Sequence, residues 1–485
     1  MTKRGVGAAI AIPQVSKGAT SMNDTSQWIG RLLLEKTPDD CWAVMGRAVT
    51  FGELHSAVEA IARDLAAAGV ASGDSVAVCL SPGLTLLQTI MAVWSIGGQV
   101  MPIDARSTRT EIKRCMRLGR PGFLVRPQDP GDLEGGPRVH CAIAIEPQTD
   151  PCARNGVCLV QFSSGSTGQP KMIGRSIDAL VREVEVYARL DGMPVRGERA
   201  LILNSQIHTM GLIGGVLHAL NAGAQIVLPV SQGIVGAGGG VDLENVDAIF
   251  GVPVHFDIIS RAASLHLPSL RLAVSAGERL RREVYDRFTA RFGIPVSPVY
   301  GTTETGIVAA DLAGSSAPPS VGKVVDGVEV EIRDGEVCVA LPASPYLTPE
   351  GAERYVGGWL RTCDRAERDA AGELVLLGRS DSVAVVGGMN VDLNEVEEVL
   401  AAHPSVSEVL VLADESITAY IGAGGEPVTP GELMDWCREH LSGFKIPRAF
   451  HITVALARTR SGKIVRRPEV QRAASAAVGS GTRQR

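Results

Sequence analysis

Residues 53–69 place Leu54, Val58, Ile61 and Leu65 at the three-to-four spacing of a helix face and end on glycine, so they predict an amphipathic helix. A short apolar strand follows at 75–80. The same helix-then-strand alternation recurs at 84–96 and 100–103, at 180–190 and 200–203, and at 210–220 and 225–228. Short apolar strands alternating with helices predict a mostly parallel α/β sheet covered on both faces. From 321 to 341 the texture changes to two β segments, 328–332 and 336–341, split by Asp334-Gly335, a hairpin signal. Beyond about residue 380 a smaller α/β pattern runs helix 394–402, strand 406–412, strand 417–421, helix 431–441 and strand 449–454. The pattern predicts a large N-terminal domain, 1–380, of mostly parallel α/β sheets with a β-rich subdomain. A small α/β C-terminal domain follows at 381–485. After Glu469 the chain turns rich in Ala, Ser, Gly and Arg, and fraying is expected there.

Composition narrows the function classes. The net charge of −6 excludes a chain held to nucleic acid by bulk positive charge, and no nucleic-acid partner is expected. Aromatic residues are only 4%, so an aliphatic core must carry the fold. The most apolar long stretch, 200–230, is interrupted by Asn204, Gln206, His208, His218 and Asn221, which argues against stable membrane insertion. Nine cysteines without a C-x-x-C pair read as reduced thiols. The apolar run at 8–13 is short for an export signal, and a cytoplasmic location is expected.

The densest chemical signal is residues 163–171, Ser-Ser-Gly-Ser-Thr-Gly-Gln-Pro-Lys, after a strand-like 157–161. Small hydroxyl residues and glycines let backbone N–H groups close around phosphate oxygens, and the lysine adds positive charge. The spacing is not that of a Walker loop, and the glycine-rich 236–240 does not fit a dinucleotide fingerprint because Val241 stands where its last glycine belongs.

Further stretches follow in order. They are Tyr-Gly-Thr-Thr-Glu-Thr-Gly at 300–306, Gly-Trp-Leu-Arg-Thr-Cys-Asp at 358–364, Gly-Arg-Ser-Asp at 378–381 with Gly-Met-Asn-Val at 388–391, and Arg-Ser-Gly-Lys at 460–463. With Ile-Gly-Gly-Gln-Val-Met-Pro-Ile-Asp at 96–104, they resemble the motifs of the adenylate-forming superfamily of acyl- and aryl-CoA ligases, adenylation domains and luciferases. The resemblance spans roughly 50–467. It implies that carboxylate and ATP give acyl-AMP and pyrophosphate, after which a thiol takes the acyl group, and that the small domain is mobile. By the same resemblance Ser163, Ser164, Gly165, Ser166, Thr167, Gly168 and Lys171 would surround the phosphates. Gly277 and Glu278 would line adenine, Tyr300 would stack on it within a motif that includes Gly301 and Thr302, and Asp364 with Arg379 would hold the ribose. Lys463 would span carboxylate and phosphate oxygens, Thr303 would meet the α-phosphate, and Glu304 would hold Mg²⁺. His208, Met210, Gly211, Ile213, Gly214, Gly215, Ser275 and Ala276 would form the acyl pocket, and Asp381 would be the hinge.

Three positions depart from the family pattern: Met172 and Cys363 stand where glycine is usual, and Val385 where lysine is common. The first two remove no charged catalytic group. The third bears on a CoA contact. The implied thiol acceptor is CoA, or alternatively the phosphopantetheine of an acyl carrier protein; a non-catalytic nucleotide-binding regulator would be expected to lack Lys463 or Glu304, and both are present. The oligomeric state is not legible. The apolar run from Met210 to Val216, with glycines at 211, 214 and 215 that leave room for a flat ring or a bent chain, offers no partner for an ammonium group. An unpaired buried ammonium costs several kcal/mol. The expected acid is therefore a small uncharged, largely apolar monocarboxylate, aromatic or short-to-medium aliphatic, and not an amino acid.

Overall fold

The computed structural model describes residues 25–107, 109–129, 141–152, 154–163, 171–229, 243–386, 389–413, 416–424, 427–441, 443–459 and 462–481. Two large sheets organise the first part of the chain. The nine-stranded sheet runs in the order Lys323–Val324, Gly306–Ala310, Val296–Thr302, Leu272–Ala276, Ala248–Gly251, Arg199–Ile202, Gln225–Val227, Cys41–Met45 and Arg47–Thr50. Its central pairings are parallel and its edge pairings antiparallel. The six-stranded sheet has Ser75–Val78 and Gln99–Pro102 at its centre, with parallel neighbours and antiparallel edges. The mostly parallel arrangement read from the sequence is thus present.

The helix Leu84–Ser95 is apolar all round and buried from Leu84 to Trp94. A helix without a polar face has to lie inside, and this one joins the largest apolar cluster with residues of both sheets. By contrast, the helix Phe51–Ala67 buries Phe51, Leu54, Val58 and Leu65, is closed by a Thr50/Glu53 capping box, and leaves its other face to solvent.

An antiparallel sheet holds Val330–Arg333, Glu336–Ala340, Trp359–Arg368 and Leu374–Arg379. Its hairpin turns at Asp334 and Gly335, both at positive φ (52° and 77°), as the Asp-Gly signal requires. Ser380–Ser382 forms a short turn leading to the hairpin Val383–Val386 and Met389–Asp392. Next come the helices Leu393–Ala401 and Pro430–His440 and a sheet of Val406–Ala413, Ile417–Ala423 and Ala449–Thr453, which share an apolar cluster of their own.

Two expectations need correction. The segment expected to fray carries a helix, Pro468–Gly481; Gln471 is buried and bonds Ala457 and Val465, which ties its first turns down. The helix expected over 210–220 is wide-turned at Met210–Leu217 and becomes α-helical only at His218–Ala222. Its three glycines let it press on neighbouring backbone and side chains.

Candidate active site

The loops that matter leave the carboxyl ends of parallel strands in the nine-stranded sheet, where ligands of open α/β sheets gather. Residues 203–208 follow Arg199–Ile202, residues 277–281 follow Leu272–Ala276, and residues 303–305 follow Val296–Thr302. Of the phosphate loop, Ser163 ends one strand and Lys171 begins the next, paired in register. Ser164, Gly165, Ser166, Thr167 and Gly168 lie outside the described residues.

Asp364 is the best-defined polar centre. Tyr300 Oη donates to its Oδ2 at 2.8 Å, and Arg379 Nη1 donates to its Oδ1 at 2.9 Å. The Tyr300 ring is buried with Val308, Val337 and Leu374, so the hydroxyl is aimed by packing. Cys363, just before, holds φ +64°. That is the left-handed region in which glycine is at ease, so cysteine here keeps the backbone shape of the glycine it replaces, braced by its N–H on Glu336 Oε1 at 2.7 Å. Met172, the other departure, is buried in an apolar cluster with Val160 and Met101.

Glu304 accepts from Tyr346 Oη at 3.4 Å, and Lys171 Nζ lies 6.0 Å from the centre of the Tyr346 ring. Burial first, then nearby Arg354, lower the Lys171 pKa, while Glu304 pulls it the other way. Among the described residues no cluster of three or more His, Cys, Asp or Glu side chains could enclose a metal by itself. One carboxylate beside a lysine suits Mg²⁺, which takes few protein ligands when phosphate oxygens supply the rest. Behind this turn, Arg175 and Glu183 form a buried ion pair at 2.6 Å, and Glu183 also accepts from the Ile307 N–H. Arg175 Nη1 reaches the Thr303 carbonyl at 3.4 Å, so the turn holding Thr303 and Glu304 rests on a charged strut.

Lys463 lies over Gly277: a Cβ added there would stand 3.5 Å from Lys463 Cε and 3.9 Å from Nζ. The lysine loop is fixed by the Ile464 N–H on Glu278 Oε1 at 3.1 Å and by Lys463 N–H on Thr459 Oγ1 at 3.1 Å. His208 lies within reach of the Lys463 charge. Its pKa is pushed down to about 4, mainly by burial and then by the positive charge of Lys463, with Asp104 opposing and Arg106 adding to the depression. Asp104 and Arg106 are themselves paired through two side-chain bonds at 2.9 and 3.0 Å. The His208 loop is held by Gln161, whose amide donates to the Ile207 carbonyl at 2.8 Å, and by Gln206, which accepts the Gly83 N–H at 2.9 Å.

The acyl-pocket residues do not all meet. Ser275 pairs in register with Gly251 and Pro298, on the strand face of Ala273, which belongs to a different apolar cluster from Val274 and Ala276. Alternation along the strand therefore puts Ser275 and Ala276 on opposite faces. The glycines leave no free space on their own sides. A Cβ on Gly211 would strike the Ser205 carbonyl, one on Gly214 would meet Tyr187 Cζ at 2.7 Å, and one on Gly215 would meet Ile202 Cδ1 at 3.0 Å. Ile213 is wholly buried in the main cluster, and Met210 packs against it.

Sequence reasoning missed Arg175, Glu183, Tyr346, Gln161 and Gln206. Arg175 and Glu183 left a trace as charges within a strand and a helix whose neighbours are apolar.

A family model described as "AMP-binding enzyme" matches residues 33–344, and one described as "AMP-binding enzyme C-terminal domain" matches 395–463. Feruloyl-CoA synthase of Amycolatopsis sp is 28% identical, over 87% of this chain and 93% of that protein. 4-Chlorobenzoate–CoA ligase of Arthrobacter sp is 26% identical, over 87% and 90%. Oxalate–CoA ligase of Arabidopsis thaliana is 26% identical, over 92% and 98%. Among solved structures, the chain is similar to O-succinylbenzoate coenzyme A synthetase (MenE) from Bacillus subtilis in complex with AMP, at TM-score 0.75 and 24% identity over 92% and 97% of the two chains.

Proposed function

This chain belongs to the AMP-binding enzyme family, and from that premise we propose that it is an AMP-forming acyl- or aryl-CoA ligase. The observation that carries this reading is the docking of Lys463 over Gly277, close enough to His208 for its charge to act on that imidazole. In the first step a carboxylate oxygen attacks the α-phosphorus of ATP and pyrophosphate leaves. Two anions must approach, so the work is positioning and charge neutralisation. Lys463 supplies the positive charge between them. Thr303 donates to the α-phosphate, and Lys171 with the loop at 163–168 holds the other phosphates. Asp364, oriented by Tyr300 and Arg379, accepts from the ribose hydroxyls, and Gly277 with Glu278 flanks adenine. Mg²⁺, held by Glu304, would neutralise phosphate charge.

His208 stays neutral well below neutral pH, so it meets the substrate carboxylate as a hydrogen-bonding imidazole and not as a second cation. In the second step the thiol sulfur of CoA attacks the acyl carbon and AMP leaves. The small domain turns about Asp381 between the steps. The acid is an uncharged, largely apolar monocarboxylate, admitted beside Met210 and Ala276. The names of two relatives, a feruloyl- and a 4-chlorobenzoate-CoA enzyme, favour an aromatic ring.

The test is to incubate the protein with ATP, Mg²⁺ and a panel of benzoates, cinnamates and C4–C10 fatty acids, with CoA or a phosphopantetheinylated carrier protein in separate reactions. The reading expects AMP formation and acyl-CoA with at least one apolar acid. Thioester on the carrier but never on CoA would overturn the acceptor, and α-amino acids or dicarboxylates as best substrates would overturn the acid class.

A further inference from the structure

The segment between the strand Leu272–Ala276 and the helix Arg282–Phe292 touches three separate parts of the C-terminal region. Glu278 Oε1 accepts from the Ile464 N–H at 3.1 Å, directly after Lys463, and its Oε2 lies 3.7 Å from Arg458 Nη1. Arg279 Nη1 pairs with Glu398 on the helix Leu393–Ala401 at 2.5 Å. Arg281 donates to the carbonyl of Ser407, in the strand Val406–Ala413. Arg458 is in turn anchored at 2.7 Å to Glu408 and bonds the Gly462 carbonyl at 2.5 Å, so the same guanidinium shapes the turn that presents Lys463.

We infer that residues 278–281 are a clasp that holds the C-terminal region in its lysine-in orientation, with Glu278 the positioning residue for Lys463. The chemistry fits the task. Glu278 is partly buried, and a carboxylate in that setting needs its charged and N–H partners. Both partners lie on the lysine loop. Swinging the C-terminal region away removes Arg458 and the Ile464 N–H together, so the grip exists only in one orientation. Arg279 and Arg281 add ion-pair and charged hydrogen-bond contacts to two other elements, so the region is held at three points and cannot simply pivot about one. The clasp thus favours adenylation and releases for the thiol step. This rests on the proposed two-step reaction, but the contacts themselves can be probed without it.

The experiment uses the full chain with Glu278→Gln, and a second protein with Arg279→Ala and Arg281→Ala, which leaves Glu278 and the lysine loop untouched. Glutamine can still accept from the Ile464 N–H but carries no charge for Arg458. Acyl-AMP formation is expected to fall about 10- to 100-fold in kcat in both proteins, while in the Arg279→Ala and Arg281→Ala protein, whose substituted side chains lie outside the adenine site, thioester formation from supplied acyl-AMP stays within about twofold. Amide hydrogen exchange of the peptide spanning 456–468 is expected to be at least about 10-fold faster in both variants than in the unsubstituted protein. Glu278→Asp should recover part of both losses. Equal loss in the two half-reactions of the Arg279→Ala and Arg281→Ala protein, or unchanged exchange protection in both variants, would overturn the clasp. If the unsubstituted protein formed no acyl-AMP with any acid while the exchange result held, the proposed reaction would fall and the clasp would stand.

Discussion

Replacing His218 by glutamine should flatten the acid sensitivity of the fold. His218 is 3% exposed; its Nε2 donates to the Pro194 carbonyl at 3.1 Å, and its Nδ1 has no partner among the described residues. Protonation would bury a second N–H with nothing to accept it, and burial pushes the pKa down from 6.5 to about 4, with the Pro194 bond opposing. The folded-state pKa is below the unfolded one, so stability is fully present above about pH 6.5 and is lost as pH falls towards 4. Over pH 7 to pH 5 the unfolded imidazole takes up nearly a full proton that the folded one refuses, a loss of about 2 kcal/mol. His208 and His255 are also pushed down to about 4, mainly by burial, so they contribute in the same direction. The glutamine amide can keep the Pro194 bond without titrating. Urea unfolding at both pH values should show the variant losing about 2 kcal/mol less than the unsubstituted protein between them. Identical losses would refute the reasoning.

Other expectations follow from the same geometry. Lys463→Ala should lower acyl-AMP formation by a factor of about 100 or more while sparing thioester formation from supplied acyl-AMP, measured as separate half-reactions; equal loss in both would remove its proposed role. Asp364→Asn should raise the KM for ATP roughly tenfold or more, since the neutral amide binds Arg379 and a ribose hydroxyl less well; steady-state kinetics at varied ATP checks it. Gly214→Ala should destabilise the fold by about 1–3 kcal/mol because the new methyl meets Tyr187 at 2.7 Å, readable as a lower urea midpoint.

The sequence made the sheet architecture legible because its strands are short apolar runs bounded by helices of clear period, as at Ser75–Val78 after Phe51–Ala67. Asp334-Gly335 announced its hairpin because few other pairs take two positive φ values at low cost. Period could not reveal the wide turns at Met210–Leu217, since a glycine-rich apolar run reads the same whether it is spaced for an α- or a π-helix. That Ser275 and Ala276 enter opposite faces was not legible, because a motif names neighbours along the chain while strand alternation decides which face each enters. The Arg175–Glu183 strut and the Glu278 contact with Ile464 are long-range or shape-dependent pairings, and no local pattern encodes them. The helix Pro468–Gly481 defied a composition-based expectation because Gln471 bonds Ala457 and Val465, which flank the Arg458–Ile464 bridge.

The central claim is that this chain joins a carboxylic acid to AMP, and isotope exchange between pyrophosphate and ATP tests it with no thiol present. Exchange should require both Mg²⁺ and an apolar monocarboxylic acid, and it should vanish in Lys463→Ala. Exchange that proceeds equally without any acid, or that survives unchanged in Lys463→Ala, would contradict the account.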